Sequence, residues 1–441
     1  MKVLIYTHGT RGDVQPFAAL ALALQRAGHE AVLAAPAAMA SLAEPYGIAF
    51  APVHDGPNTL IDDPQIRQAI ETNYRGPRGM QVALRVMRAS KPLMAHVLDD
   101  MAAVAETLAA STTGPGAGVD VVVHAPGIPA QHFAEFLGVP AVPAALQPVW
   151  VPTAAFRNPV LPLRLPRALN RASYLPIKLL LRSFGGIADR LRKERLNLPR
   201  RRGRHDILRR PDGRAATVLQ AFSRHLLPEP LDYPAHVHTT GFWFLPAPPT
   251  WQPPAALTGF LAGGPPPVYV GFGSMAGTDP ARIGHVVTEA IGRAGVRAVL
   301  ASGWGGLQVD DLPHHPPGGV REEVFVLEQA PHDWLFPQMA AIVHHGGSGT
   351  TAAALASGRP QVLCPFVADQ PFWAARMAAA GVAPEPRPQQ RLSADGLAAA
   401  IGRAVADPSL IKAAQHQGQV IRGERGADQA VKILESALRA G

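Results

Sequence analysis

The sequence predicts two doubly wound α/β domains that face each other across a cleft, and three observations carry that expectation. The chain has 441 residues, too many for one ordinary hydrophobic core and suited to two domains of roughly 200 residues each. Strand-like and helix-like segments alternate along the first half, which implies parallel strands joined by crossovers. The alternation then breaks at the proline-rich stretch Phe244-Leu-Pro-Ala-Pro-Pro-Thr-Trp-Gln-Pro-Pro254 and restarts beyond it.

In the first half, Lys2 to Thr7 reads as a strand and Pro16 to Ala27 as a helix, closed by Gly28, which accepts the left-handed conformation of a helix end. Glu30 to Ala35 and Asp120 to His124 read as strands, and Leu98 to Ala110 as a helix leading to the loop Gly114-Pro-Gly-Ala-Gly118. The proline-rich stretch favours extended polyproline geometry, suited to holding two bodies apart. After it come the strand Val268 to Phe272, the helix Pro280 to Ala294, and strands over Arg297 to Ala301, Glu323 to Leu327, Ala341 to His345 and Gln361 to Pro365. Val431, Ile433, Leu434 and Leu438 fall near helical spacing in the final stretch. The expected organisation is a Rossmann-like domain over 1–240, a linker over 241–260, a second Rossmann-like domain over 261–425, and a helix over 426–441 packing back on the first domain.

Composition narrows the function classes. At 47% apolar and 17% charged residues, the chain is a folded protein and not a disordered one. Its single cysteine, Cys364, lies in the apolar run Gln361-Val-Leu-Cys-Pro-Phe366, has no internal disulfide partner and fits a reducing compartment. Met1-Lys-Val-Leu-Ile-Tyr6 lacks the features of a signal peptide. No apolar run reaches the roughly 20 residues of a membrane span. The expected location is therefore cytoplasmic. The net charge of +8 is uneven: residues 157–214 hold 17 Lys/Arg against four acids, a net +13, which leaves −5 for the rest. Aromatic interleaving and a nucleic-acid-binding motif are missing, so no nucleic acid is expected as a partner. An anionic membrane surface or an acidic ligand fits the cluster better, and a solvated basic helix pair is the plainer alternative.

Chemistry concentrates in Ile342-Val-His-His-Gly-Gly-Ser-Gly-Thr-Thr351, an apolar strand that turns through glycines into the helix-forming Ala352-Ala-Ala-Leu-Ala-Ser357. Such a turn cradles an anion. Glycines let the backbone approach phosphate oxygens, the helix N-terminus offers N–H groups and partial positive charge, and Ser348 and Thr350 add hydroxyls. His344 or His345 supplies a ring N–H to the same phosphate. No lysine follows the last glycine, as a P-loop requires, and the spacing is not that of a dinucleotide fingerprint. The acidic pairs Asp62-Asp63, Asp99-Asp100 and Asp310-Asp311 lie in loop-like or helical settings, so no metal site is expected. At the other end of the chain, His8-Gly-Thr-Arg-Gly-Asp13 follows the first strand and precedes a helix, at the carboxyl ends of strands where such folds bind ligands. A general base belongs there, although Asp13 also suits the start of a helix as a capping residue.

Context extends the pattern. Glu328-Gln-Ala-Pro-His-Asp-Trp-Leu-Phe-Pro337 lies upstream, and Gly358-Arg-Pro and Pro365-Phe-Val-Ala-Asp-Gln-Pro-Phe-Trp373 lie downstream. With Thr7-His-Gly-Thr-Arg-Gly-Asp-Val-Gln-Pro16 and Gly271-Phe-Gly-Ser-Met275, these residues resemble family 1 glycosyltransferases of the GT-B fold, most closely their sterol and bacterial antibiotic branch. The resemblance implies an N-terminal acceptor-binding domain and a C-terminal nucleotide-sugar-binding domain. It assigns His344 to the diphosphate, with Gly346, Gly347, Ser348, Gly349 and Thr350 around the other phosphate. Asp369 and Gln370 match the pair that reads sugar hydroxyls. Gln329 and Ala330 hold the base, Ser274 reaches the phosphates from the opposite turn, and Trp304 flanks the base. Thr10 and Gly12 join the donor set. Asp13 matches the general base, with His8 in reserve. Two departures stand out: Gln329 replaces the base-stacking aromatic of plant relatives, and their ribose-gripping glutamate falls on Ala352.

The reaction these residues imply is an inverting transfer of a hexose, from UDP-glucose or a thymidine nucleotide sugar, to a hydroxyl of a sterol-like, lipid or polyketide acceptor. Asp13 deprotonates the acceptor, while His344 and the helix N-terminus receive the leaving diphosphate without a metal or other cofactor. The apolar stretch Val139 to Ala155 suits a hydrophobic acceptor, and the basic segment 157–214 suits peripheral membrane contact. The competing readings are a sugar-nucleotide epimerase or hydrolase on the same scaffold, and a non-catalytic sugar-nucleotide sensor.

Overall fold

A computed structural model describes residues 1–63, 66, 76–110, 118–161, 165–273, 279–302 and 323–439. They fall into two compact units, one of Met1–Ile66, Met80–Leu245 and Glu424–Gly441, the other of Arg67–Gly79 and Pro246–Gly423. The two-domain α/β class predicted from the sequence holds.

The first unit carries, in chain order, β1 (Lys2–Tyr6), α1 (Arg11–Arg26), β2 (Glu30–Pro36), β3 (Ala49–Val53), α2 (Gly76–Ala110), β4 (Val121–His124), α3 (Gln131–Leu137), β5 (Ala141–Ala145), α4 (Leu175–Ser183), α5 (Gly185–Glu194), β6 (Val218–Gln220) and β7 (Val237–Thr239). Among the described residues the strands form a parallel sheet in the order β3-β2-β1-β4-β5-β6-β7. Alternation along β1 builds a core on each face. Val3 and Ile5 pack with Phe17, Leu20 and Leu24 of α1, whereas Leu4 and Tyr6 pack with Val97, Met101 and Phe133. The chain order reverses between β1 and β4, which lie side by side with Tyr6 opposite His124.

The second unit carries α6 (Ala255–Ala262), β8 (Val268–Gly271), α7 (Pro280–Ala294), β9 (Ala298–Ala301), β10 (Val324–Leu327), α8 (His332–Leu335), β11 (Ala341–His344), α9 (Ser348–Ser357), β12 (Gln361–Leu363), α10 (Gln370–Ala379), α11 (Ala394–Ala406) and α12 (Pro408–Glu424). Its parallel sheet runs β10-β9-β8-β11-β12, so the order reverses between β8 and β11. Helix α7 shows why the sequence was readable here: Asp279 caps it by accepting from Arg282 N at 2.9 Å, Pro280 takes the first position, and Gly295 ends it at φ +60. The last helix, α13 (Gly426–Arg439), belongs to the first unit and packs against α1. Burying Val431 and Leu434 there contributes about 3–6 kcal/mol.

The first helix departs from expectation. It begins at Arg11 and not at Pro16, because Thr10 and Asp13 form a capping box one and a half turns earlier. Pro16 sits inside the helix and costs it one i→i−4 hydrogen bond. Helix α2 likewise extends the expected Leu98–Ala110 segment back to Gly76.

Candidate active site

In the first unit the site grows from the end of β1. Asp13 is the third residue of α1 and not its N-cap. Its Oδ2 accepts from Thr10 N at 2.9 Å and from the Thr10 hydroxyl at 3.1 Å, and the Thr7 hydroxyl donates to its backbone carbonyl at 2.9 Å. Oδ1 accepts nothing from the described residues, so one oxygen anchors the carboxylate and the other remains available. Capping therefore leaves one oxygen of this side chain open. Desolvation raises the Asp13 pKa above the ordinary carboxylate value, against the two Thr10 hydrogen bonds, which lower it. Thr10, expected to touch the donor, spends its hydroxyl on Asp13. Gly12 lies exposed on the first turn of α1.

Gly9 makes this arrangement possible. It adopts φ +136, and a Cβ there would lie 2.7 Å from Cγ of Asp13. The backbone must pass too close to the carboxylate for any other residue. Asn58 fixes the same point by donating to the Gly9 carbonyl at 2.8 Å. His8 lies on the other side of the turn, with Nε2 3.3 Å from the His54 carbonyl, and no described carboxylate hydrogen-bonds its ring. Burial lowers its pKa, so it is a neutral imidazole tied to the segment after β3. A cavity of about 520 Å³ opens elsewhere in this unit, lined in part by Trp150, Tyr174, Ile177, Leu181 and Ile207. Trp150 belongs to the apolar stretch after β5.

In the second unit, β11 ends at His344 and the chain turns through Gly346, at φ +89, into α9, whose N-cap is Gly347. Ser348, Gly349 and Thr350 form the first turn, where N–H groups lack intrahelical acceptors. A Cβ on Gly346 would lie 3.3 Å from the Gln370 carbonyl oxygen and 3.4 Å from Leu363, so this turn and the loop before α10 are in contact. On that loop the Gln370 Oε1 accepts from Phe366 N at 2.8 Å and Val367 N at 3.1 Å, and Asp369 Oδ2 accepts from the Trp373 indole at 2.9 Å. Ala368, just before them, holds a left-handed φ of +55. The structure therefore brings Gly346 to Thr350 together with Asp369 and Gln370. Gln329 lies exposed and Ala330 half-buried just after β10. Ser274 and Trp304 lie outside the described residues.

His344 corrects the expectation. It is fully buried, its Nε2 is 2.8 Å from Oε1 of Gln361, and its Nδ1 accepts from Gly346 N at 3.1 Å. Both ring nitrogens are occupied within the protein, and this hydrogen-bond pattern fixes the Nε2–H tautomer. Burial, and then the neighbouring His345, push its pKa down to about 3. His344 holds the turn and does not present itself to a ligand. His345, the next residue, is partly exposed as a whole, packs near Gly273 after β8 and against Gly347, and its Nδ1 is buried without a hydrogen-bond partner among the described residues. Burial lowers its pKa to about 4, so it is neutral near pH 7. Ala352, the position expected to match the ribose-gripping glutamate, is buried in the core. Sequence reasoning missed Gln361, the partner of His344; a glutamine opening an otherwise apolar strand was the available signal.

Comparisons with known proteins bear on the family and the fold. Residues 3–126 match the glycosyltransferase family 28 N-terminal domain, and residues 308–430 match the C-terminal domain of erythromycin biosynthesis protein CIII-like proteins. The chain is 33% identical over 448 residues to O-mycaminosyltylonolide 6-deoxyallosyltransferase of Streptomyces fradiae, covering 99% of this chain and 97% of the relative. It is also 33% identical to a sterol 3-beta-glucosyltransferase of Arabidopsis thaliana and 32% identical to one of Leptosphaeria maculans, spanning 68% and 29% of their lengths and 99% of its own. Among solved structures, the glycosyltransferase of kitacinnamycin matches with a TM-score of 0.67 at 19% identity over 99% of both chains. Glycosyltransferase VinC, in complex with DTDP, matches with a TM-score of 0.62 at 21% identity over 100% of both chains. At these identities the structural matches establish the fold.

Proposed function

The chain belongs to the family 1 glycosyltransferases of GT-B fold, and on that premise we propose that it is an inverting, metal-independent hexosyltransferase acting on a hydroxyl of a sterol-like, lipid or macrolide acceptor. The donor we propose is a nucleotide diphosphate sugar, UDP-glucose first and a thymidine nucleotide second. One observation carries the reading: the glycine turn between β11 and α9, with His345 beside it and the Asp369–Gln370 loop against it. That turn suits a diphosphate, because converging N–H groups and a helix N-terminus stabilise its charge. Asp369 and Gln370 suit the sugar hydroxyls.

In this mechanism the acceptor oxygen forms a bond to the anomeric carbon as the bond from that carbon to the diphosphate breaks. Asp13 takes the acceptor proton on Oδ1 while Thr10 holds Oδ2. Such base catalysis is worth roughly 10²- to 10⁴-fold. The α9 N-terminus and His345 meet the charge that develops on the departing diphosphate, a preorganised role that in other enzymes a metal fills. The relatives' names support a lipophilic acceptor, as does the apolar stretch around Trp150. We further propose a cytoplasmic protein in peripheral contact with the membrane through residues 157–214; among the described residues no helix is long and apolar enough to cross one.

The test measures nucleoside diphosphate release with and without sterol and macrolide acceptors, in excess chelator. Release should require an acceptor and match the glycosylated product mole for mole. Equal release without acceptor would mean a hydrolase, and activity lost in chelator but restored by magnesium would overturn the metal-free mechanism.

A further inference from the structure

The exposed large apolar side chains of this protein are not scattered. Among the described residues they are Leu84, Leu169, Leu175, Leu179, Leu180 and Phe244, so four of the six fall between residues 169 and 180. Three sit on α4 and are 57%, 61% and 50% exposed at Leu175, Leu179 and Leu180. The sequence Leu175-Pro-Ile-Lys-Leu-Leu-Leu-Arg-Ser183 sorts by helical spacing into paired columns. Leu175 with Leu179 and Pro176 with Leu180 form adjacent exposed columns, of which Leu175 also borders the cavity. Ile177 and Leu181 form the inward column that lines the cavity. Lys178 and Arg182 form the border between inward and outward faces. An ordinary surface helix places its charged residues outward; α4 places leucines there.

The surroundings give that apolar face a sign. Arg167, Arg182, Arg190 and Lys193 are exposed and form no ion pair with a described residue, and the pair of Lys178 with Asp206, at 3.3 Å, is itself solvent-exposed. A face of leucines edged by Lys178 and Arg182, in a segment whose Arg167, Arg190 and Lys193 are exposed and unpaired among the described residues, complements a surface that is apolar beneath and anionic at its rim. A second copy of this chain would bring the same cations against themselves.

We infer that the outward face of α4, Leu175, Pro176, Leu179 and Leu180 with Lys178 and Arg182 at its edge, docks on an anionic lipid surface. This narrows the proposed membrane contact to one helix face. It is separable from the transfer reaction, because docking needs neither donor nor acceptor. With its outer face on lipid, the same helix turns Ile177 and Leu181 to the cavity, so lipid surface and cavity share one wall.

The test is co-sedimentation of the full chain with phosphatidylcholine vesicles containing about 30% phosphatidylserine, and with phosphatidylcholine alone, at low and high salt. Binding should require the anionic lipid and fall as salt screens the cations. The triple variant Leu175→Ser/Leu179→Ser/Leu180→Ser should lower partitioning roughly tenfold or more with an unchanged urea midpoint, since these side chains are exposed. Arg210→Ser/Arg214→Ser, which removes two charges of the same segment that pair with Asp212, should bind nearly as the parent does. No binding of the parent to anionic vesicles at low salt would overturn the inference, as would undiminished binding by the leucine variant. A concentration-dependent dimer that the leucine variant abolishes, without vesicle binding by the parent, would assign the face to a second copy instead.

Discussion

Two adjacent histidines should fail in different ways. Replacing His344 by leucine strands two buried groups, the Gly346 N–H and the Gln361 Oε1. An unsatisfied buried group costs about 1–3 kcal/mol, so His344→Leu should lose about 2–6 kcal/mol of stability. Asparagine places an amide oxygen where Nδ1 stands and can again accept from Gly346, so His344→Asn should recover part of that loss. His345→Ala breaks no hydrogen bond to a described residue and should change stability little. It should instead remove a hydrogen bond to a charged ligand, worth about 1.5–3 kcal/mol, which is roughly a 10- to 150-fold loss of nucleoside diphosphate affinity. Urea denaturation reads the first effect and calorimetric titration with the nucleoside diphosphate reads the second. An unshifted urea midpoint for His344→Leu, or undiminished diphosphate affinity in His345→Ala, would refute the division of labour.

Three further outcomes follow from the same geometry. Asp13→Asn should abolish transfer with donor affinity nearly unchanged, and the acidic limb of the parent's kcat/KM profile should lie above the usual carboxylate range, because desolvation raises this pKa; turnover within a few-fold of the parent would remove Asp13 as the base. Gly9→Ala should lower kcat with little change in donor affinity, since the new methyl displaces the Asp13 carboxylate, and full activity would show that the carboxylate's position is immaterial. Stability should fall on acidification: His124, His132, His344 and His345 are held down to about 4, 3, 3 and 4 by burial. The unfolded chain takes up their protons below about 6.5. Their contribution is therefore complete above that pH and is lost as pH falls towards 4, by up to about 1.4 kcal/mol per pH unit for each group. A urea midpoint at pH 5 equal to that at pH 7.5 would contradict this.

The second sheet was legible because its strands are unbroken apolar runs bounded by glycine and proline, and their ends fall within two residues of the expected ones. The first sheet was legible only in β1, β2 and β4. β3 and β5 contain Pro52 and Pro143, and a proline argues against a ladder strand because it lacks an N–H. β6 and β7 are three residues each, too short for alternation to register. At the candidate site the turn into α9 was legible from its glycines, but the choice between His344 and His345 was not. Successive residues at a strand end point to opposite faces, and nothing local to the two histidines says which face is buried. Gln361, seventeen positions on, settles it by pairing with His344.

The first unit closes only with residues that follow the whole of the second. Helix α13 lies on α1, and Gly426 passes so close to Gly241 that a Cβ would come within 2.5 Å of its carbonyl carbon. During synthesis the apolar surface of α1 that α13 covers waits while residues 246–423 are made, about 10–35 s at ribosomal speeds. Through that interval the nascent chain offers Phe17, Leu20 and Leu24 without part of their cover, which makes this stretch a natural client for a chaperone and ties the maturation of one half to the completed translation of the other.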